Sequence, residues 1–266
     1  MGCTNSRKIF KDSELEAIIQ STTEKLGLFQ YKAEYLDRVI HRNSKNFKIS
    51  ESQMNKIQET LKLDTSSRLI RAFFTLFYSE NHKLYNTKKL ATLGILLGKG
   101  TYTEKSFLLF QNYDIELKGS LSKVQIKKMI SHINYISCYC LPVFSVRCAE
   151  SDLSQAIEKY KNKICIMLKG VTNYFCNMIF EELPEGDVKY DKISRIIVSQ
   201  GLKGIFELEM FRRKTLEVCK TIQRATVAAD YYIVTENREF RQRCKNLTQT
   251  LGRSRHLKVE SGESIS

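Results

Sequence analysis

Residues 114–122 read Asp-Ile-Glu-Leu-Lys-Gly-Ser-Leu-Ser, and the prediction of the fold starts from them. An acidic residue opens it, Gly119 stands at the sixth place and the apolar Leu121 at the eighth. Glycine permits the sharp turn that such a place requires, and an apolar residue two places later suits a short strand facing a partner loop. The stretch therefore predicts a twelve-residue loop, residues 114–125, between two helices.

The same pattern recurs at intervals of 36 residues toward the N-terminus. Tyr78 and Arg42 stand at the first place of the earlier loops. Large apolar residues also recur at this interval, in four sets: Leu121, Tyr85 and Ile49; Ile126, Leu90 and Met54; Phe110 and Phe74; Tyr113 and Phe77. A period of this size indicates repeated supersecondary units. A chance repeat within an unrelated helical bundle is the alternative.

A fourth unit of the same kind is predicted further along the chain. Residues 173–180 are amphipathic, and a loop follows with Gly186 at its sixth place and Val188 at its eighth. Ile193 then begins the exit helix. The offset from Asp114 is larger than 36 residues, so residues 131–168 are predicted to be an insertion.

The run from Leu90 to Asp114 resembles the segment that links the second and third EF-hands of neuronal calcium sensor, calcineurin B and calaxin-type proteins. The resemblance covers residues 25–195 and is strongest over residues 70–130. It implies an all-α fold of up to four paired EF-hand units, with an insertion and a long C-terminal helix. Short bridges would pair Ile49 with Tyr85 and Leu121 with Val188. The resemblance also implies an apolar groove for a target helix, lined by Phe74, Phe77, Phe107, Phe110 and Tyr113.

Only some of the residues with which an EF-hand binds calcium are present in this sequence. An EF-hand needs oxygen ligands at positions one, three, five, seven and nine, and a bidentate glutamate at position twelve. The third loop offers Asp114, Glu116, the Ser120 carbonyl, Ser122 and, in place of the glutamate, Gln125. Its fifth residue is the cation Lys118. The other loops have Arg42, Tyr78 and Glu181 at position one and Gln53, Lys89 and Lys192 at position twelve. Weak or absent calcium binding is expected, with no other cofactor.

The chain opens Met-Gly-Cys-Thr-Asn-Ser, which matches the pattern for myristoylation of Gly2. One myristoyl chain binds membranes only marginally, so stable anchoring takes a second signal. Palmitate on Cys3 is a candidate, and basic charge is another, from Arg7, Lys8 and Lys11.

The sequence predicts a division of the chain into six regions. The predicted organisation is a lipidated segment (1–12), an EF-hand-like region (13–130), the insertion (131–168), a fourth unit (169–200), a long basic helical region (201–260) and a disordered tail (261–266). The stretch 238–258 is densely basic and is either a solvated end or an electrostatic contact with a membrane or an acidic filament. The longest uncharged stretch, Ile133–Val146, is shorter than a membrane span.

The net charge of +14 favours an acidic partner. An anionic membrane is preferred over nucleic acid because no nucleic-acid signature accompanies the charge. The eight cysteines follow no disulfide or zinc spacing, which fits a reducing compartment. The glycine-rich run 94–101 is one residue short of a phosphate loop and follows a helix, so no enzyme is expected.

The sequence thus predicts an adaptor of the EF-hand type, held on the cytoplasmic face of a membrane and binding a target helix. Two alternatives stay open at this point. One is a structural protein of a cilium or the cytoskeleton that docks on an acidic filament. The other is a low-affinity calcium sensor acting through the third loop.

Overall fold

The computed structural model describes residues 10–166, 168–181, 183, 186–199, 204 and 206–221. These residues are mostly helical, and the strands among them are two or three residues long, so the prediction of an all-α protein is confirmed. The chain divides into two compact units, Met1–Cys219 and Lys220–Ser266. Of the second unit, only Lys220 and Thr221 are described.

The helices of the first half of the chain alternate with short loops. They are α1 (Asp12–Glu24), α2 (Ala33–Arg42), α3 (Glu51–Thr60), α4 (Arg68–Phe74), α5 (Thr87–Leu97) and α6 (Tyr102–Tyr113). The second half contains α7 (Lys123–Tyr135), α8 (Leu141–Cys148), α9 (Ser151–Cys165), α10 (Leu168–Phe180), α11 (Tyr190–Ser199) and a helix over residues 208–221, α12. The strands are β1 (Lys48–Ile49), β2 (Tyr78–Ser79), β3 (Leu84–Asn86), β4 (Ser120–Leu121) and β5 (Val188–Lys189).

Hydroxyl residues fix where three of these helices begin. Ser50, Thr101 and Ser122 each accept a hydrogen bond from the backbone N–H three residues later, at 3.3 Å. The side chain at that later position bonds back to the cap, which completes a reciprocal capping box. Ser50 and Gln53 stand three residues apart in the sequence, which is the spacing of a capping box, and both of its hydrogen bonds are present.

The strands form two small antiparallel sheets. In the first, β3 lies between β1 and β2, and Ile49 is paired with Tyr85. In the second, β4 pairs with β5, and Leu121 is opposite Val188. Both residue pairs are those that the sequence predicted. Ile49, Leu121 and Val188 are buried, so each sheet is anchored in the core by an apolar side chain.

Residues 131–168, predicted to be an insertion, are mostly helical where they are described. The helix from Lys123 runs on through a π-helical turn, Ile136–Cys140, into α8. Pro142 has no N–H to donate to the carbonyl four residues back, and π turns accommodate such a gap. Two carbonyls of this turn accept hydrogen bonds from side chains. Arg212 Nη1 donates to Ser137 O at 3.3 Å, and Cys165 Sγ donates to Cys138 O at 3.3 Å.

This long helix, Lys123–Cys148, is the one helix in the described ranges that is long and apolar enough to cross a membrane by length and composition. Its most apolar window has a mean hydropathy of 1.2, and 72% of that window is buried inside the protein. The uncharged stretch Ile133–Val146 lies within this helix and is itself shorter than a membrane span. Buried core helices meet the same criterion, and α7 and α8 pack on the other helices of the unit.

Helix α12 is held on the body of the protein by a buried ion pair. Arg212 donates to both carboxylate oxygens of Glu16 on α1, at 2.6 to 2.9 Å, and the Tyr160 hydroxyl donates to the same carboxylate. Phe211 stacks on Phe175 of α10 with ring centroids 5.3 Å apart. Residues 222–251, predicted to extend this helix, lie outside the described residues, as does the densely basic stretch 238–258.

Candidate functional site

The 36-residue period of the sequence is also a period of the backbone. Phe47, Lys83 and Gly119, at the sixth place of the first three loops, all have positive φ, at 57°, 51° and 69°. Gly186, at the corresponding place of the fourth, has φ 99°. Left-handed backbone is uncommon for residues other than glycine, so its recurrence at the sixth place is a shared feature of the loops. The loops are not identical, because Asn46 and Leu117 also have positive φ in the first and third.

The ninth place of the first three loops is equally regular. Ser50, Asn86 and Ser122 are the N-caps of α3, α5 and α7. Each cap side chain accepts a backbone N–H at the twelfth place of its loop, at 3.3, 3.0 and 3.3 Å. Three successive helix–loop–helix units therefore share a positive φ at the sixth place, a strand residue at the eighth and a cap at the ninth.

In the third loop, the residues predicted as calcium ligands bond to the protein itself. The two carboxylate oxygens of Asp114 accept the backbone N–H groups of Lys118 and Gly119, at 3.0 and 2.7 Å. Glu116 forms an ion pair with Lys118 at the surface. Lys118, the cation at the fifth place, would repel a calcium ion. It also pairs with Glu116, one of the candidate ligands.

Gln125, at the twelfth place, closes the third loop. Its Oε1 accepts from the backbone N–H and the hydroxyl of Ser122, both at 2.8 Å. Its Nε2 donates to the carbonyl of Tyr113, the last residue of α6, at 3.0 Å. Ser120 lies in β4, next to this cap. Within the described parts of the chain, no group of three or more His, Cys, Asp or Glu side chains is placed to hold a metal ion.

In the other loops, the side chain at the twelfth place makes different contacts. Gln53 bonds back to the N–H of Ser50 at 2.8 Å. Lys89 directs its ammonium over the ring of Tyr135, 4.4 Å from the ring centroid. Lys192 is exposed on α11. None of these three side chains lies across its loop as Gln125 does.

Most of the aromatic residues predicted to line a target groove lie in the core. Phe74, Phe77, Phe110 and Tyr113 are buried, whereas Phe107 is 44% exposed. Phe107 contacts Tyr190, with ring centroids 5.2 Å apart, and lines a surface groove of about 380 Å³ between α6 and the start of α2. The lining also includes Lys32, Ala33, Glu34, Lys99, Gly100, Glu104, Leu108 and Gln111. Of the five predicted residues, only Phe107 lines this groove.

The sequence did not predict a buried polar network behind the third loop. The Tyr113 hydroxyl lies 2.6 Å from His132 Nδ1 and 3.1 Å from Thr92 Oγ1, and Asn112 donates to Thr92 at 3.2 Å. Burial lowers the pKa of His132 to about 3, assisted by the charges of Lys89, Lys128 and Lys88, so the ring is neutral. No spacing signal in the sequence connects these residues, because they come from three helices.

The glycine-rich run 94–101 is a packing feature of the structure. A Cβ at Gly98 would lie 2.6 Å from Ala33 Cα, and one at Gly94 would lie 3.1 Å from Leu36 Cβ. Helix α2 therefore approaches this run closely, which explains the glycines without a phosphate ligand.

The lipidation residues Gly2 and Cys3, with Arg7 and Lys8, lie outside the described residues. Lys11 is exposed, at the N-cap of α1. No family model, curated protein or solved structure matches the chain. The likeness to EF-hand proteins therefore rests on the loops themselves.

Proposed function

We propose that this protein is a lipid-anchored adaptor of the EF-hand type that holds its fold and binds its target without calcium. The observation that carries the proposal is the closure of the third loop by Gln125. In calcium-driven hands, the carboxylate at position twelve moves the exit helix when it binds the ion. Here, an amide hydrogen bond joins the two helices of the unit.

The first two loops support the same proposal. Their positive φ at the sixth place and their caps repeat those of the third, yet their first and twelfth places hold no carboxylate. The pairing of Ile49 with Tyr85 couples the first loop to the second, and that of Leu121 with Val188 couples the third to the fourth. Pairing through one central residue of each loop is the arrangement expected of EF-hand pairs.

The groove beside Phe107 is the proposed site for the target. Its volume of about 380 Å³ is that of a small-molecule pocket, about 300–1,000 Å³, so it would take an anchor side chain of the target and not a whole helix. Phe107 and Leu108 supply an apolar floor, and Lys32, Lys99, Glu34 and Glu104 surround it with both signs of charge. An amphipathic helix with an apolar anchor and a mixed polar rim matches this lining.

Membrane anchoring is proposed from the opening residues. Myristate on Gly2 and palmitate on Cys3 would together give the two signals that stable anchoring requires.

Fractionation of cells that express the full chain tests anchoring and calcium independence together. We expect the wild type in the membrane fraction, in calcium or in a chelator, Gly2→Ala in the soluble fraction, and Cys3→Ser in between. Extraction with mild detergent should release the wild type. Retention with a detergent-insoluble cytoskeleton would favour the filament alternative, and calcium-dependent membrane binding would contradict the proposal.

A further inference from the structure

Three lysines converge on one face formed by α5 and α7. Lys128, His132 and Tyr135 stand at i, i+4 and i+7 on α7, so they share a face of that helix. Lys89 Nζ lies 4.4 Å from the ring centroid of Tyr135. Lys88 Nζ lies 5.5 Å from the ring centroid of Tyr113, whose hydroxyl contacts His132. Lys89 and Lys88 thus lie over the rings of Tyr135 and Tyr113, and Lys128 stands one turn before His132 on α7. These three residues are here called the lysine cluster (Lys88, Lys89 and Lys128).

No acidic side chain neutralises the lysine cluster within the part of the chain that the structure describes. None of its members makes an ion pair, whereas seven other lysine or arginine side chains of α2, α9, α12 and the third loop do. Lys88 is only 8% exposed, and burial together with Lys128 lowers its pKa. His132 adds no charge, because it is neutral.

Two members of the lysine cluster lie at the N-terminus of α5, where the helix dipole adds to the positive charge. Lys88 and Lys89 lie in the first turn of α5, which contains no acidic residue. The partial positive charge of a helix N-terminus favours anions there and disfavours lysines. Mutual repulsion and the helix dipole both oppose this arrangement, and a bound anion would relieve both.

We infer that the lysine cluster binds a lipid headgroup that carries more than one phosphate. Several converging ammonium groups suit a multivalent phosphate, and clusters of lysines near a bilayer typically recognise such headgroups. Phe47, whose ring centroid lies 5.4 Å from Lys88 Nζ, is 42% exposed at the edge of the cluster. An exposed aromatic ring beside the cations fits the boundary between headgroups and acyl chains. The inference rests on the proposed membrane anchoring, because the membrane would supply the phosphate groups.

The test uses the full-length Gly2→Ala protein, so that acyl chains do not contribute to binding. Sedimentation measures its binding to vesicles of phosphatidylcholine containing phosphatidylinositol bisphosphate, and to vesicles containing phosphatidylserine at the same total charge. We expect tighter binding to the bisphosphate vesicles. Lys128→Gln and Lys89→Gln should each weaken it about fivefold, since one lysine near an anionic surface contributes on the order of 1 kcal/mol.

The matched control is Lys56→Gln. Lys56 is exposed on α3 and makes no ion pair in the described structure, so its replacement should leave binding unchanged. Lys128 is also exposed, and its replacement is therefore not expected to disturb folding. Circular dichroism of each variant checks this point.

Three results would overturn the inference: equal binding to the two kinds of vesicle, wild-type binding by both cluster variants, or binding of soluble inositol trisphosphate in calorimetry without vesicle binding. None of these results bears on acyl anchoring, which the fractionation of the acylated protein measures separately.

Discussion

The side-chain amide of Gln125 donates to the backbone carbonyl of Tyr113 at 3.0 Å, and so joins the first turn of α7 to the last residue of α6. The same side chain accepts two hydrogen bonds from Ser122. One residue therefore both caps the exit helix and closes the loop. A glutamate at this place would keep the capping bonds but could not donate to the carbonyl.

Gln125→Glu should therefore lower the free energy of unfolding by about 1–3 kcal/mol, the usual cost of leaving a part-buried polar group without its partner. Denaturant titration in the presence of a chelator measures the loss. Gln53→Glu is the matched control, because Gln53 caps the first loop through its Oε1 and makes no bond across the loop. It should change stability by less than about 0.5 kcal/mol. Equal losses in the two variants would show that the bond to Tyr113 contributes nothing.

Calcium binding should appear when the third loop is repaired at two places. Lys118→Asn removes the cation that pairs with Glu116, and Gln125→Glu supplies the missing carboxylate. The loop would then present an oxygen ligand at each required place. We expect the double variant to bind calcium at least tenfold more tightly than either single variant, as measured by calorimetry. Comparable binding by the wild type would support the calcium-sensor alternative instead.

The parts of this fold that were predictable are those governed by local, repeated chemistry. The register of Ile49 with Tyr85, and of Leu121 with Val188, followed from the place of one apolar residue in each loop. The capping box at Ser50 followed from a three-residue spacing. In each case, the residues that specify the feature lie close together in the chain.

The features that were missed depend on contacts between distant segments. Glu16 and Arg212 are 196 residues apart, and nothing near either residue marks it as half of a buried pair. The groove was predicted from five aromatic residues that share helical faces, yet packing buries Phe74, Phe77, Phe110 and Tyr113 and leaves only Phe107 at the surface. Helical periodicity identifies an apolar face but does not tell which neighbour will cover it.

The buried pair of Glu16 and Arg212 should be among the most sensitive places in the protein. Arg212→Met would leave the Glu16 carboxylate buried without its cation, at a cost of about 3–5 kcal/mol in the free energy of unfolding. Arg213→Met is the control, since Arg213 pairs with Glu209 at the surface and should contribute no more than about 0.5 kcal/mol. The double variant Glu16→Gln/Arg212→Met should recover part of the loss. If denaturant titration gives similar values for Arg212→Met and Arg213→Met, the pair does not hold α12 in place.

Stability should fall in mild acid because of His132. Its pKa is lowered to about 3 in the folded protein, chiefly by burial, whereas the unfolded value is near 6.5. Between these values, the unfolded chain binds more protons, so the free energy of unfolding decreases as the pH falls, by up to about 1.4 kcal/mol per pH unit. Urea titrations from pH 4 to pH 8 measure this slope, and His132→Gln should flatten it.

His41 provides a control of opposite sign. Its hydrogen bond with Asp37 raises its pKa, so its stabilisation is complete below about pH 6.5 and is lost as the pH rises through the folded value. His41→Gln should therefore reduce stability at pH 5 more than at pH 9. A steeper acid dependence in His132→Gln than in the wild type would contradict the assignment of the slope to His132.

Gly98 should tolerate no side chain, although the glycine two residues later should. The Lys99 carbonyl accepts the N–H of Ala33 at 2.8 Å, and a Cβ at Gly98 would lie 2.6 Å from Ala33 Cα and 2.8 Å from its nitrogen. Because these atoms belong to the backbone at the start of α2, they cannot rotate away, and the helix itself would have to move. Gly98→Ala should therefore lower the free energy of unfolding by about 1–3 kcal/mol, the usual cost of overpacking.

Gly100→Ala is the comparison for this last prediction. A Cβ there would meet Glu104 Oε2 at 3.3 Å, and this side-chain atom, which caps Thr101, would have to give by only a few tenths of an ångström. Its effect should stay within about 0.5 kcal/mol, as for most surface substitutions. Thermal and denaturant unfolding of the two variants would separate the positions. If Gly100→Ala cost as much as Gly98→Ala, the loss would reflect glycine flexibility in the turn and not the close approach of α2.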